Sequence, residues 1–392
     1  MLNIINKEEC CGCYGCKNIC PKECISMQSD REGFEYPEID KNKCINCKLC
    51  EKTCPQINEV KKNKFLVETY AGKNRDESIR LNSSSGGIFF KLCEYVINNN
   101  GVVFGAAFDE NLKVNHSYAE SLNECEKFRG SKYVQSSIGE TYKKAKEFLD
   151  IGRLVLFSGT QCQIKGLNLF LIKYYKNLIC VDIICHGVPS PLILDKYVEK
   201  KKKQYGGKIK EYNFRDKYSG WENYSTCIKF DNGKQYKSEF INDNYMKGFL
   251  KDLYLRPSCY ECKSKNFTNK SDISLADYWG IKNIHPEFDD DKGVSLILIN
   301  SEKGKSIFYS ISKDIEYLQS DLNFAIQNNP CIVRSVPKNK NREKFFNLIN
   351  KNDIEKAIIK CIKDSYIKKL MHRIKVKLSI IKSNVLKLVV KK

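Results

Sequence analysis

The sequence predicts an α+β protein: a small cysteine-rich N-terminal domain, a mixed α/β body and a basic C-terminal helix. Three observations carry that expectation. One cysteine pattern occurs twice before residue 56. From Phe65 onward, short β-type runs alternate with amphipathic helical stretches. Near the end, lysines stand between apolar residues at helical spacing. A chain of 392 residues exceeds one core of usual size, so two or three domains are expected, drawn as the cysteine-rich segment 1–60, a body in two parts (65–150 and 151–345) and the tail 346–392.

The first segment contains Cys10-x-x-Cys13-x-x-Cys16-x-x-x-Cys20-Pro21, repeated as Cys44-x-x-Cys47-x-x-Cys50-x-x-x-Cys54-Pro55. Three thiolates at this spacing can cap three corners of one iron–sulfur cubane from a tight loop. The fourth, held before proline, is turned away and reaches the neighbouring cluster, as in bacterial two-cluster ferredoxins. The spacing therefore predicts two [4Fe–4S] clusters. The first is expected on Cys10, Cys13, Cys16 and Cys54, the second on Cys44, Cys47, Cys50 and Cys20. A pair of zinc knuckles would leave the third cysteine of each triad and the Cys-Pro unused. Cys11 and Cys24 fall outside the pattern and are expected as spare buried thiols. The text between the copies, with GFEYPEID, is short, turn-rich and β-prone. Residues 1–58 resemble a small two-cluster ferredoxin.

With 42% apolar and 29% charged residues, the composition is globular rather than disordered. The formal charge of +20 could serve nucleic acid, an anionic membrane or acidic partners. No basic motif interleaved with aromatics accompanies it, so nucleic acid is not an expected partner. The opening MLNIINKEEC has neither a basic nor an apolar signal region, and no apolar run reaches the roughly 18–20 residues of a membrane span. Twenty cysteines then point to a cytoplasmic protein whose thiols are available to metals.

In the body, 101–109, 153–159, 178–185 and 294–300 read as buried strands, and 141–152 as an amphipathic helix. Three polar stretches interrupt this alternation. In 80–97, Ser83, Ser84, Ser85, Gly86 and Gly87 precede a helix, where hydroxyls and amides can hold phosphate or simply cap the helix. In 128–136, Arg129, Ser131, Lys132, Tyr133 and Gln135 suit a dinucleotide or, equally, a solvated loop. In 157–167, a strand exits into Ser-Gly-Thr and Cys162, where α/β sheets tend to present ligands. Cys185 follows another strand, and Cys259-x-x-Cys262 has metal-ligand spacing. Four such cysteines could bind zinc or [4Fe–4S], or remain thiols. Cys93, Cys125, Cys180, Cys227, Cys331 and Cys361 read as small buried hydrophobes, and His186 as a structural histidine.

Taken together, SSSGG (83–87), RGSKYVQS (129–136), SGTQCQ (158–163), CHGVPSP (185–191), FRDK..GW (214–221), RPSCYEC (256–262), ADYWG (276–280) and DDDKGVSLILIN (289–300) resemble one family. It is the beta-subunit family of coenzyme F420 hydrogenases and dehydrogenases, and the resemblance spans residues 65–320. It implies an FAD-binding domain with its own [4Fe–4S] cluster. Ser84, Ser85, Gly86 and Gly87 would hold FAD phosphates or ribityl, while Arg129, Ser131, Lys132, Tyr133 and Gln135 would contact the flavin. Cys162, Cys185, Cys259 and Cys262 would ligate the third cluster. Gln161 stands where the family's SGTPC form has proline, which loosens the loop but leaves the thiol.

The expected function is that of an iron–sulfur flavoprotein oxidoreductase. Its ferredoxin-type clusters would feed a third cluster, FAD and an organic or deazaflavin acceptor. Ferredoxin-fused relatives found beside polysaccharide genes suggest a biosynthetic setting. The alternative is a non-catalytic electron-transfer subunit for a separate enzyme. Either reading requires a redox partner protein or a small-molecule acceptor, and no catalytic side chain is assigned. Within 361–392, Ile367, Leu370, Met371, Ile374, Leu378 and Ile381 recur at helical spacing between lysines. Such a basic amphipathic helix could lie on anionic lipid or pack on the body.

Overall fold

The computed structural model describes residues 6–59, 65–350 and 353–362. The stretch 367–381, and with it the expected lipid contact, lies outside the described residues. Among the described residues no helix is long and apolar enough to cross a membrane.

Between its two cysteine loops the N-terminal segment forms an antiparallel hairpin, β1 (Ile25–Ser29) and β2 (Glu35–Ile39). Asp30 closes the turn by accepting from the amides of Glu32 and Phe34. Gly33 has φ +82°, and a Cβ there would lie 2.4 Å from Leu192 Cβ, so only glycine lets this turn meet the body. Phe34 is fully buried in a cluster with Ile193, Tyr197 and Phe214, which stabilises the contact by about 2 kcal/mol. Two arginines bolt the hairpin down. Arg342 donates to both carboxylate oxygens of buried Glu32. Arg256, 1% exposed, donates to the carbonyls of Cys10 and Glu35 at 2.6 and 2.9 Å, with its guanidinium 4.3 Å from the Tyr36 ring centroid.

The chain then passes through β3 (Glu68–Asn74), β4 (Val102–Phe108), β5 (Val114–Ala119), β6 (Val155–Thr160) and β7 (Leu178–Ile183). A separate three-stranded sheet follows: β8 (Ile209–Asp216), β9 (Ser225–Phe230) and β10 (Gln235–Glu239). Finally β11 (Ile273–Asp277), β12 (Ser295–Ile299) and β13 (Ile315–Gln319) complete the main sheet, in the order β13-β3-β12-β11-β7-β6-β4-β5. The fold is the α+β arrangement expected, with a mixed sheet at its centre.

The central strands β11, β7, β6 and β4 are parallel, and the flanks are antiparallel. Parallel strands are covered on both faces, which is why they read as continuous apolar runs. Val103, Leu156 and Ile179 face the helix Ile88–Asn98, while Phe104, Phe157 and Cys180 share a core with Tyr142 and Phe148 of the helix Thr141–Asp150.

This topology concentrates chemistry at one edge. β6 runs directly into the helix Gln161–Leu171, β7 runs toward Cys185, and β11 ends at Asp277. Asp277 pairs with Ser295 of β12, which pairs with Gly72 near the end of β3. The Ser-Gly loop 83–87 packs on these last two, since Gly86 lies against the Gly72 carbonyl and the Ser295 amide. Open α/β sheets bind ligands outside the carboxyl ends of their parallel strands.

Candidate redox centre

The repeated cysteine pattern is repeated in backbone as well. In the first loop Gly12 and Tyr14 flank Cys13 at φ +65° and +62°, and in the second Asn46 and Lys48 flank Cys47 at +56° and +60°. Left-handed residues on both sides of the middle cysteine turn successive amides toward one concavity, a geometry suited to anionic and iron–sulfur groups. Short helices, Gly15–Ile19 and Leu49–Lys52, carry the third cysteine of each loop and lead to Cys20-Pro21 and Cys54-Pro55.

The fourth cysteines are exchanged between the loops. Cys54 lies among Cys10, Cys13 and Cys16, whose charges perturb one another. Cys20 lines one cavity with Cys44, Cys47 and Cys50, and Cys24 joins them with its sulfur 3.3 Å from that of Cys20. The two sets differ in surroundings. Cys13 and Cys54 are buried against the body, whereas Cys47 is exposed beside Ile45, itself 57% exposed. Burial, with the Cys11 and Cys10 thiols adding, pushes the Cys54 thiol up to about 11. Four thiols this close and this dry cannot all ionise unless a cationic core compensates them, so the inner donor set fits an iron–sulfur cluster. Among the described residues no three His, Cys, Asp or Glu side chains converge as a single ion would require.

The third set assembles at the sheet edge. Cys162 does not sit in a loop, as expected, but in the first turn of a helix. Thr160 caps that helix and Gln163 completes a reciprocal capping box. Gln161 occupies the first helical position, where a proline would also be accommodated, so the exchange leaves the pose of Cys162 defined by the cap. Cys185, Cys259 and Cys262 are mutual neighbours, and Cys262 also faces Cys162. The Val188 amide donates to Cys259 Sγ at 3.4 Å, and buried Lys265 donates to the Cys185 and Cys331 carbonyls at 2.6 and 2.8 Å.

Two features of this region were not legible in the sequence. Cys331, read as a buried hydrophobe, lies 3.8 Å from His186 Nδ1, while His186 Nε2 meets Asp252 at 2.6 Å. Against the downward effect of burial, Asp252 and Cys331 raise the His186 pKa to about 9. Cys11, read as a spare thiol, is buried, and Cys13 and Cys162 hold its thiol well below the usual range. The only signal for either was an unplaced cysteine.

The polar stretches sort into two places. Ser131 donates to Ser84 Oγ from its amide at 2.7 Å, and the two hydroxyls lie 2.9 Å apart. Arg215 donates to Tyr133 Oη at 3.2 Å and to both oxygens of Asp277, and Trp221 Nε1 donates to Asp277 at 2.8 Å. Trp221 stacks on Trp279 with centroids 5.1 Å apart. Arg215, Trp221 and Asp277 come from the FRDK..GW and ADYWG stretches, to which the sequence alone assigns no role. Arg129 lies over the Phe90 ring, and Lys132 donates to the carbonyls of Lys127 and Arg129.

Ser85 and Gly86 are engaged at the entry to β12, by Val294 O just before it and Ser295 Oγ at its first residue, while Gly87, at φ +80°, caps the helix Ile88–Asn98. Lys217 ties this loop down by donating to the carbonyls of Arg80, Ser85 and Lys292. Gln135 stands apart from the serines. It bridges Arg256 and the Cys11 carbonyl at the junction with the first cysteine loop.

Residues 152–322 match the family described as the C terminus of the beta subunit of coenzyme F420 hydrogenase/dehydrogenase, and residues 37–56 match the 4Fe-4S binding domain. The chain is similar to that beta-subunit family over this first segment, less than half of its length. It is an iron–sulfur electron-transfer protein related to that subunit. Among solved structures it is similar to a chain of the F420-reducing [NiFe] hydrogenase complex from Methanosarcina barkeri, at 18% identity and a TM-score of 0.46. That likeness covers 69% of this chain and 93% of the other. No curated protein matches the chain.

Proposed function

We propose that this chain is an FAD-dependent oxidoreductase that carries electrons inward along three [4Fe–4S] sites. The observation that carries the reading is their order in space. The set Cys20, Cys44, Cys47 and Cys50 reaches solvent, the set Cys10, Cys13, Cys16 and Cys54 is enclosed, and the set Cys162, Cys185, Cys259 and Cys262 follows at the sheet edge. The link between the last two is close. A Cβ on Gly166, one helical turn after Cys162, would lie 3.0 Å from Cys13 Cβ and 3.1 Å from its sulfur.

Beyond the third set, His186 packs edge-on against Phe249 at 5.1 Å, and Phe249 lies 4.8 Å from Tyr133. Tyr133 borders the group formed by Ser84, Ser131, Arg215 and Asp277. Half-buried Arg129 and buried Arg215 each leave a buried Nε without a partner there, a donor set that fits an anionic cofactor with an aromatic ring. FAD held by these residues would supply the exchange between single electrons and hydride. The acceptor is then an organic molecule or a deazaflavin, and polysaccharide biosynthesis is the setting we favour. Twenty cysteines without a disulfide suit a cytoplasmic site of action.

The test compares two donors. Reduced ferredoxin should reduce the flavin through the solvent-facing set, and Cys47→Ala should slow this by about tenfold or more while leaving reduction by dithionite intact. Equal rates with ferredoxin in both proteins would refute the route.

A further inference from the structure

Cys24 lies outside the repeated cysteine pattern, yet it lines the same cavity as four pattern cysteines, Cys20, Cys44, Cys47 and Cys50. Its sulfur is 3.3 Å from that of Cys20. Two separate anchors set this pair. Cys20 ends the helix Gly15–Ile19, its amide donating to the Lys17 carbonyl at 3.4 Å. Cys24 is held by the hairpin instead: it immediately precedes β1, and its carbonyl accepts from the Asp40 amide, just past β2, at 2.8 Å. Between them the chain turns back on itself, with the Glu23 amide donating to the Cys20 carbonyl at 3.2 Å. Only the first copy of the pattern has a thiol at this place. Four residues after Cys54 stands Asn58, whose side-chain amide donates to the carbonyls of Glu51 and Cys54 at 2.6 and 3.0 Å. The difference follows exposure. Cys24 itself is 5% exposed, but its cavity includes exposed Cys47 and Ile45, whereas Cys13 and Cys54 of the inner set are buried.

On the reading above, which this inference extends, four of these five sulfurs hold the solvent-facing cluster. We propose that Cys24 is a reserve ligand of that cluster, taking the place of Cys20 when the Cys20 sulfur leaves its iron. The exchange is a ligand substitution without change of oxidation state. One iron–sulfur bond breaks as another forms, the Cys24 thiol gives its proton to solvent, and the released Cys20 thiolate takes one up. A sulfur 3.3 Å from the one it replaces is within a side-chain rotation of that position. Held there by the hairpin, it acts at a high effective concentration and recaptures the iron before water or a chelator removes it. A fifth thiol is most useful at the one cysteine set that solvent reaches.

The experiment counts iron and sulfide, and records the EPR spectrum after reduction by dithionite, in full-length protein prepared without oxygen. Cys20→Ala should keep the wild-type content of about twelve irons, with an altered signal from the solvent-facing cluster, because Cys24 completes it. The double variant Cys20→Ala/Cys24→Ala should lose that cluster and hold about eight irons. Equal iron in the single and double variants, whether kept or lost, would overturn the role of Cys24. A second measurement leaves Cys20 in place. Iron release from the solvent-facing cluster to a chelator should be several-fold faster than wild type in Cys24→Ala and in Cys24→Val, which fills the space without a sulfur. Release from the enclosed cluster should be unchanged. Wild-type release rates in both variants would overturn the proposal as well. Absence of the solvent-facing cluster from wild type would sink the site assignment together with this inference; its presence alongside either failure would sink this inference alone.

Discussion

His116 shows how one buried side chain holds two functional stretches in place. Its Nε2 faces the Ser158 carbonyl at 3.0 Å, and because a carbonyl only accepts, Nε2 carries the hydrogen. That leaves Nδ1 to accept from Ser136 at 3.0 Å, and the same serine accepts from Gln163 at 2.9 Å. The imidazole thereby ties the 129–136 stretch to the strand that leads to Cys162. Burial pushes its pKa down to about 4. An unfolded histidine titrates near 6.5, so above that pH the neutral ring contributes fully. As pH falls from about 6.5 to about 4, the unfolded chain takes up a proton that the fold refuses, and stability is lost. By pH 5 the loss is about 2 kcal/mol. Thermal unfolding of His116→Gln should therefore drop less between pH 7 and pH 5 than wild type; parallel curves would show that His116 does not titrate this way.

Among the elements, the helix Gln161–Leu171 does most to join the two halves. It begins at the end of β6, places Cys162 in its first turn and presents Gly166 to Cys13 one turn later. Besides Cys13, a Cβ at Gly166 would also meet Tyr142 Oη at 3.1 Å, so neither side has slack. In Gly166→Leu the first cysteine loop must move away. The expected loss is about four irons per chain, with the remaining iron kept. Retention of the full iron content would show that the inner cluster does not depend on this contact.

The same helix marks what the sequence could and could not reveal. Strands β4, β6, β7 and β12 were visible because burial on both faces makes them largely apolar, whereas the parallel strand β11, with Ser274 and Asp277 in its short run, was not. The clusters were visible because three of every four ferredoxin-type ligands are local in the chain. Strands β3 and β13 and the second sheet were not visible either, since polar residues such as half-buried Lys73 and exposed Glu316 and Lys229 interrupt them. The start of the helix at Gln161 was hidden as well: its cap, Ser-Gly-Thr, reads equally as a loop. Cys11 and Cys331 could not be placed, because the residues that give them meaning, Cys162 and His186, are remote in sequence and adjacent only in the fold.

For the molecule as a whole, the proposed route is continuous: an exposed four-cysteine set, an enclosed one, a third at the carboxyl edge of a mixed sheet, and a cluster of polar and aromatic side chains beside it. The N-terminal segment is held against the body by Arg256, Arg342 and Phe34, which fixes the spacing between sites. A wire with fixed spacing is useful only if every site is filled. The most direct test is therefore the content of iron, sulfide and flavin in protein purified without oxygen. Three four-iron clusters predict about twelve irons, about twelve sulfides and one FAD per chain. About eight irons with no flavin would contradict the account, because only the N-terminal clusters would then remain.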